Sequence, residues 1–492
     1  MKRFVVINKL DNIMVALEDF NKGDMVNNIK ILEDVKAGHK VALTDINEKE
    51  NVIKYGSPIG HATKKILKGS HVHTHNVHTN LGEILTYEYH PTTIKNDQKV
   101  EGKTVNVYKR DNGEFGIRNQ IYLIPTVGCI NGIVRQMAED FNRSHPTTEF
   151  FDGVLPILHP YGCSQMGDDL VNTMETLQNI SLHPNAGGVI VLGLGCENNQ
   201  LDNFMKTYDY NPERVKFVNL QDIFNEDEVV LDLMTKLYEQ MEEKDHREAQ
   251  PISVLKIGLK CGGSDAFSGI SANPLLGLLS DYLIKNGGTT VLTEIPELFG
   301  AEHNLLNRSV SKEVFDKLVK VINDFKNYYK SHNQVIYDNP SPGNKEGGIT
   351  TLEEKSLGNI EKGGISPVVD VLDTTERLEK SGFNIIKAPG NDLVSTTTLA
   401  MSGAQIVLFT TGRGTPFGGF VPTIKVSTNS TLFNKKRHWI DFDAGDLLTG
   451  TPFNELNEQF VDFIIEIANG KQTKNEINNA SEIAIFKDGV TL

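Results

Sequence analysis

The chain is poor in cysteine, tryptophan and long apolar runs, and its basic residues are outnumbered by acidic ones. Four cysteines in 492 residues are too few for a disulfide scaffold. No stretch reaches the length of about 18 apolar residues that a membrane-crossing helix needs, so no membrane partner is expected. The apolar stretch Phe4-Val5-Val6-Ile7 is far too short for a signal peptide and reads as a first strand, which makes the cytoplasm the expected location. Lysine and arginine total 49 against 64 aspartates and glutamates, a net charge of −15. That balance excludes a general nucleic-acid surface, which needs clustered positive charge. It also means that an anionic substrate must find local positive charge from a metal, an arginine or backbone amides. A phosphate-binding Gly-x-x-x-x-Gly-Lys-Ser/Thr loop is missing. Gly193-x-Gly195-x-x-Asn198 lacks the third glycine of a dinucleotide fingerprint, and no solenoid repeat is visible.

What the chain does have is a concentration of histidine. Four of its 14 histidines fall between His71 and His78. His71, His73 and His75 alternate, so an extended chain would project all three rings to one face. Imidazoles so placed can hold a divalent metal and leave positions open for substrate. His73 and His75 are the expected ligands, with Asn76 orienting them, and His78 is expected to be peripheral. A solvated edge strand is the structural alternative.

The four cysteines each sit next to glycine: Gly128-Cys129, Gly162-Cys163, Gly195-Cys196 and Cys261-Gly262. All lie where strands run out into loops. Residues 1–92 read as a small β-rich domain, with Tyr55-Gly56 a turn and Pro91–Thr104 a linker. From residue 105 short β-branched runs alternate with helical segments, the pattern of mostly parallel sheets covered by helices. The expected units are a central α/β domain over 105–335 and a C-terminal α/β domain over 336–492, with the Gly- and Pro-rich stretch 338–366 a linker or a functional loop. Ligands bind beyond the carboxyl ends of such strands, where the cysteine loops fall. Arg413, in Gly412-Arg413-Gly414, and Arg118 can each fork onto a carboxylate, against the alternatives of a plain turn and a structural salt bridge. Glu294 follows a strand and can act as base or metal ligand.

Several motifs together carry a family resemblance. They are Gly56-x-x-Ile59-Gly60, Val72-His73-x-His75-Asn76, Pro125-Thr126-Val127-Gly128-Cys129 and Gly162-Cys163-Ser164-Gln165. To these are added Gly195-Cys196-Glu197-Asn198-Asn199, Cys261-Gly262-Gly263-Ser264-Asp265 and Thr293-Glu294-x-Pro296-Glu297-x-Phe299-Gly300-Ala301-Glu302. In this order they resemble the altronate/galactarate dehydratase family over essentially the whole chain. The resemblance implies a small SAF-type N-terminal domain, dehydration of D-altronate to 2-dehydro-3-deoxy-D-gluconate in hexuronate catabolism, and Fe²⁺ as cofactor, with Mn²⁺ as a substitute.

Such a reaction removes the C2 proton beside a carboxylate and expels the C3 hydroxyl. A divalent metal would spread the enediolate charge. His159, Glu197 and Glu294 are the candidate bases, and Arg118, Asn198, Ser264, Asp265 and Arg413 the candidate substrate contacts. Cys129, Cys163, Cys196 and Cys261 are further candidate metal ligands, and three of them could instead carry an iron–sulfur cluster whose open iron is the Lewis acid. That alternative would suit galactarate or another sugar acid as substrate. A non-catalytic sugar-acid-binding protein with a structural metal is the remaining reading. Homo-oligomerisation is left open. The histidines lie in the small domain and the other candidates in the large ones, so His73 and His75 are expected to form one wall of a site that domain packing completes.

Overall fold

The computed structural model describes residues 3–82, 84–92 and 102–492. Most of the linker expected over Pro91–Thr104 therefore lies outside the described residues. In the small domain a four-stranded antiparallel sheet runs in the order Phe4–Val5, Ile13–Ala16, Lys40–Ala42, His71–Val72. A second sheet joins Asn51–Lys54, Ser57–Ala62 and Val77–His78. The hairpin between Lys54 and Ser57 turns on Tyr55 (φ 59°) and Gly56 (φ 74°), positive at both central positions as a tight hairpin twist requires. The strand Ile13–Ala16 is buried on both faces. Its alternation sends Met14 and Ala16 into the small domain's own cluster, and Ile13 and Val15 into the cluster shared with the large unit.

Residues 104–251 build a four-stranded parallel sheet in the order Val154–Pro156, Gln120–Pro125, Ala186–Gly193, Val215–Asn219. A three-stranded antiparallel ribbon stands beside it. Helices Asn131–Ser144 and Glu226–Lys244 cover one face of the parallel sheet through Val134, Phe141, Met234 and Leu237. Helix Asp168–Ser181 covers the other and meets helix Asp392–Met401 of the next unit.

That unit is a seven-stranded, wholly parallel sheet. Its order is Val368–Leu372, Gly382–Ile386, Thr289–Leu292, Lys256–Cys261, Ile406–Thr411, Thr423–Ser427, Phe442–Asp443. Its central strands Thr289–Leu292 and Ile406–Thr411, rich in β-branched residues, are buried on both sides, as a parallel sheet flanked by helices demands. Strands from both sides of the expected 335/336 boundary pair in this one sheet, because βα alternation is read locally and carries no label for which sheet a strand joins. The stretch 338–366 is not a linker either. It folds into helices Pro342–Glu346 and Leu352–Ile360, started by Ser341 and Thr351, whose hydroxyls accept from the third backbone N–H of each helix. Among the described residues no helix is long and apolar enough to cross a membrane.

Candidate active site between the small domain and the seven-stranded sheet

The small domain docks at the carboxyl ends of the seven-stranded sheet, and residues 346–354 form the seam. Two of its lysines, Lys40 and Lys54, reach the same carboxylate, that of Glu354, at 2.8 and 2.7 Å with every partner buried. The Lys40 Nζ also donates to the Gly348 carbonyl at 2.7 Å, and the Thr350 N–H donates to Glu354 Oε2 at 2.8 Å. Burial alone would raise the Glu354 carboxyl, but the two ammoniums outweigh it and pull it down to about 2. Gly348 (φ 97°) is required at this seam, since an added Cβ there would meet the Gly38 carbonyl at 2.5 Å.

The histidines lie on this seam, though not as an alternating strand. Pairing ends at Val72, and residues 73–76 form a turn in which the Asn76 and Val77 N–H groups both donate to the His73 carbonyl. Asn76 shapes the turn and not the rings: its side chain accepts from the His73 N–H at 2.9 Å and donates to the His71 carbonyl at 2.8 Å. The rings nonetheless gather. Centroids of His71 and His73 are 5.6 Å apart, those of His71 and His75 5.2 Å, and those of His39 and His71 5.0 Å. His39 Nδ1 lies 2.9 Å from His71 Nε2, and His73 Nδ1 lies 2.9 Å from Thr350 Oγ1. Burial first, then the neighbouring rings, pushes His71 down to about 3. Burial, then Lys40 and His39, pushes His73 down to about 4.

The set with metal-ligand geometry is His71, His75 and Glu33, whose ligand atoms lie within 4.8 Å of one another. Of the two expected ligands, His75 falls in this set and His73 does not; His73 Nδ1 meets Thr350, and His71 stands in the set instead. Glu33, which also accepts from the His71 N–H at 3.1 Å, and His39 were both missed. They lie on the neighbouring chain segment, and nothing local in the sequence ties them to His71. Two imidazoles and one carboxylate leaving coordination positions open is the donor set that suits non-haem Fe²⁺. His78 is exposed, as expected, and bonds its neighbour's carbonyl.

A second set, Cys261, Glu294 and Glu297, also brings its ligand atoms within 4.8 Å and is fully buried. Its charge is already compensated. Lys260 and Lys362 stand 3.4 and 3.3 Å from Glu294, and Lys355 stands 2.7 Å from Glu297. Burial would raise the Glu294 carboxyl, and Lys260 and Lys362 reverse this. Burial, then Glu294 and Glu297, pushes the Cys261 thiol up to about 12. Glu294 adopts a left-handed backbone (φ 68°) and donates no free edge to solvent, being 0% exposed. A cavity of about 10 Å³, room for one water, is lined by Lys54, Tyr55, Cys261, Ser264, Glu354 and Asn359 and so joins the two domains.

Of the expected substrate contacts, Arg413 reaches the seam. It follows strand Ile406–Thr411, its side chain is 44% exposed, and its Nη2 is 3.0 Å from Glu346 Oε2. The carbonyl of that same Glu346 is 3.2 Å from His39 Nε2. Ser264 lines the cavity, and its carbonyl accepts from Asn344. Asp265 is consumed in holding the loop: its oxygens accept from the Phe267 and Ser268 N–H groups, Thr428 and Asn429.

Several expectations are corrected. Arg118 is not a substrate clamp. It is 1% exposed and spends its guanidinium on Glu476 at 2.6 Å and on the carbonyls of Ile117, Ile467 and Lys471, the structural salt bridge. His159 is not the base: one ring nitrogen meets the Pro125 carbonyl at 2.7 Å and the other accepts from the Tyr161 N–H. Glu197 is not the base either, since it accepts from Thr126 and from the Leu194 and Gly195 N–H groups. Asn198 accepts from the Ser164 N–H and belongs, with Cys129, Cys163 and Cys196, to the loops of the four-stranded sheet. Spacing along the chain cannot reveal that these hydrogen-bonding capacities are already used.

Family comparison agrees with this three-part build. Residues 2–80 match the altronate/galactarate dehydratase SAF domain, residues 107–245 the D-galactarate dehydratase/altronate hydrolase second domain, and residues 252–491 the D-galactarate/altronate dehydratase C-terminal domain. The class so defined is a dehydratase, a carbon–oxygen hydro-lyase. The chain belongs to the D-galactarate/altronate dehydratase family. It is 52% identical to an altronate dehydratase of Escherichia coli (strain K12) and 51% identical to one of Bacillus subtilis (strain 168), in each case over 100% of both chains. A galactarate dehydratase (L-threo-forming) of Escherichia coli (strain K12) is 34% identical over 95% of this chain and 93% of its own.

Proposed function

We propose that this protein dehydrates D-altronate to 2-dehydro-3-deoxy-D-gluconate and water, at the seam between the small domain and the seven-stranded sheet. The observation that carries the reading is the gathering of His71, His75 and Glu33 on the same seam as Arg413. The two full-length relatives above half identity support altronate as the substrate. Fe²⁺, or Mn²⁺ in its place, held by His71, His75 and Glu33 would supply a Lewis acid for the charge that develops on the substrate carboxylate.

The remaining steps use side chains of the chain itself. Arg413 exchanges its exposed pairing with Glu346, an interaction worth little at a surface, for a bidentate grip on the carboxylate. With its proton on Nδ1, which lies 2.9 Å from Thr350 Oγ1, His73 keeps the Nε2 lone pair to take the C2 proton. The same ring returns that proton to the departing C3 hydroxyl, which leaves as water, and the enol becomes the 2-keto acid. The packed seam of Lys40, Lys54 and Glu354 positions the histidine turn against the sheet.

Two measurements test this. With ferrous iron supplied anaerobically, D-altronate should be turned over with at least tenfold higher kcat/KM than galactarate, and chelation should abolish turnover until iron is restored. Preference for galactarate, or full activity under chelation, would overturn the proposal. Arg413→Ala should raise KM by roughly ten- to a hundredfold, the loss of a charge-assisted contact of about 1.5–3 kcal/mol. Its melting temperature should be unchanged because the side chain is largely exposed. An unchanged KM would remove Arg413 from the site.

A further inference from the structure

The three cysteines outside the seam have a geometry of their own. Cys129, Cys163 and Cys196 follow three strands that are neighbours in the four-stranded sheet, namely Gln120–Pro125, Val154–Pro156 and Ala186–Gly193. Adjacent strands run about 4.8 Å apart, and the three loops stay in contact beyond the strand ends. The Gly128 N–H donates to the Tyr161 carbonyl at 2.8 Å, and the Asn199 N–H to the Gly162 carbonyl at 3.0 Å. The Asn199 side chain ties the third contact by donating to the Thr126 carbonyl at 3.1 Å. Gly162 has no room for a side chain, since an added Cβ would sit 2.0 Å from the Thr126 carbonyl. The backbones are held so close that each loop delivers one thiol to a common end of the sheet.

None of the three is in a disulfide; Cys129 and Cys196 are exposed and Cys163 partly so. The harder ligands nearby are withdrawn. Glu197 has both oxygens engaged by Thr126, Leu194 and Gly195, and His159 has both nitrogens engaged. One polar atom is left over: Oδ1 of Asn199, a residue only 1% exposed, has no hydrogen-bond partner. Its position between two of the loops is the place where a further group would find it.

We propose that Cys129, Cys163 and Cys196 form a cofactor site separate from the histidine seam, and that it takes an iron–sulfur cluster with one iron free of any protein thiolate. Thiolates without accompanying imidazole or carboxylate select iron–sulfur clusters or other thiophilic metals. A structural zinc site would need four ligands, and the fourth thiol of the chain, Cys261, is shut in the other sheet among Glu294, Glu297 and Asn359. Gln221 Nε2 stands 3.7 Å from the Cys196 sulfur and Ser164 Oγ 3.9 Å from that of Cys163. Hydrogen bonds of this kind tune cluster potentials.

The test is anaerobic reconstitution of the full chain with ferrous iron and sulfide, followed by desalting, visible absorption, and iron and acid-labile sulfide assays. The expected result is a coloured protein with iron and sulfide bound, retained by His75→Ala. Cys129→Ser and Cys196→Ser, both at exposed positions that the fold tolerates, should each lose at least half of the bound sulfide. Iron bound without acid-labile sulfide in the parent chain, or a sulfide content unchanged in both cysteine variants, would overturn the proposal. Because the histidine seam takes no sulfide, the reading of that site and this one can fail independently.

Discussion

Glu354→Ala should cost about 3–5 kcal/mol of stability, the penalty for leaving buried charges without their partner. Two ammoniums converge on this one carboxylate, and both come from the small domain while the carboxylate comes from helix Leu352–Ile360. The damage should therefore be concentrated at the seam. Chemical denaturation would give the size of the loss. Hydrogen exchange would locate it, with faster exchange at His71, Val72 and Val77 than in the seven-stranded sheet. Glu354→Gln should behave alike, since a neutral amide restores shape but not charge. A variant with the parent's stability and exchange would show that the lysines find other partners. The same carboxylate makes the seam sensitive to acid. Its folded value is about 2 against an ordinary 4.5, so its contribution is complete above about 4.5 and is lost as pH falls towards about 2. Burial draws Lys40 down to about 8. Lys54 moves the other way, because burial lowers it less than Glu354 and Tyr55 raise it, and it keeps the carboxylate paired across the neutral range.

His75→Ala and His71→Ala should each lower kcat/KM for D-altronate by roughly 10³-fold, the scale of losing a Lewis acid that supplies several kcal/mol. Bound iron should fall with activity. His73→Ala separates ligand from base: it should keep its iron and lose kcat, because His73 faces Thr350 and stands outside the set of ligand atoms. Glu33→Gln should weaken iron binding, with activity partly recovered at high iron. The measurements are iron per chain after desalting and steady-state rates over a range of ferrous iron. Full iron in both His71→Ala and His75→Ala would remove these residues from the metal site.

Much of this protein is legible in the chain, and the errors have a common cause. The β-rich build of residues 1–92 and the alternation of buried strands and helices from residue 105 onward stand where local patterns place them, because burial on one or both faces imposes a periodicity. The histidine cluster and Arg413 also stand out, since their residue types are costly to place without a reason. The expected extended run over His71–His75 failed because Asn76 offers its side chain to the backbone and closes a turn. Arg118, His159 and Glu197 were misread for another reason. A side chain with every donor or acceptor already taken looks the same in sequence as one that is free.

The sequence by itself determined the element types, the small β-rich domain, the parallel α/β units, the family and the clustering of histidines. All of these rest on contacts between near neighbours or on ordered motifs. Only the tertiary structure decided that the strands between Lys256 and Asp443 join one sheet, that Glu33 and His39 join the histidines, and that Glu354 locks the domains together. It alone separated Cys261 from the other three cysteines. These facts depend on which distant segments meet and on which polar groups are already satisfied. Both are set by the closing of the chain on itself, and local spacing records neither.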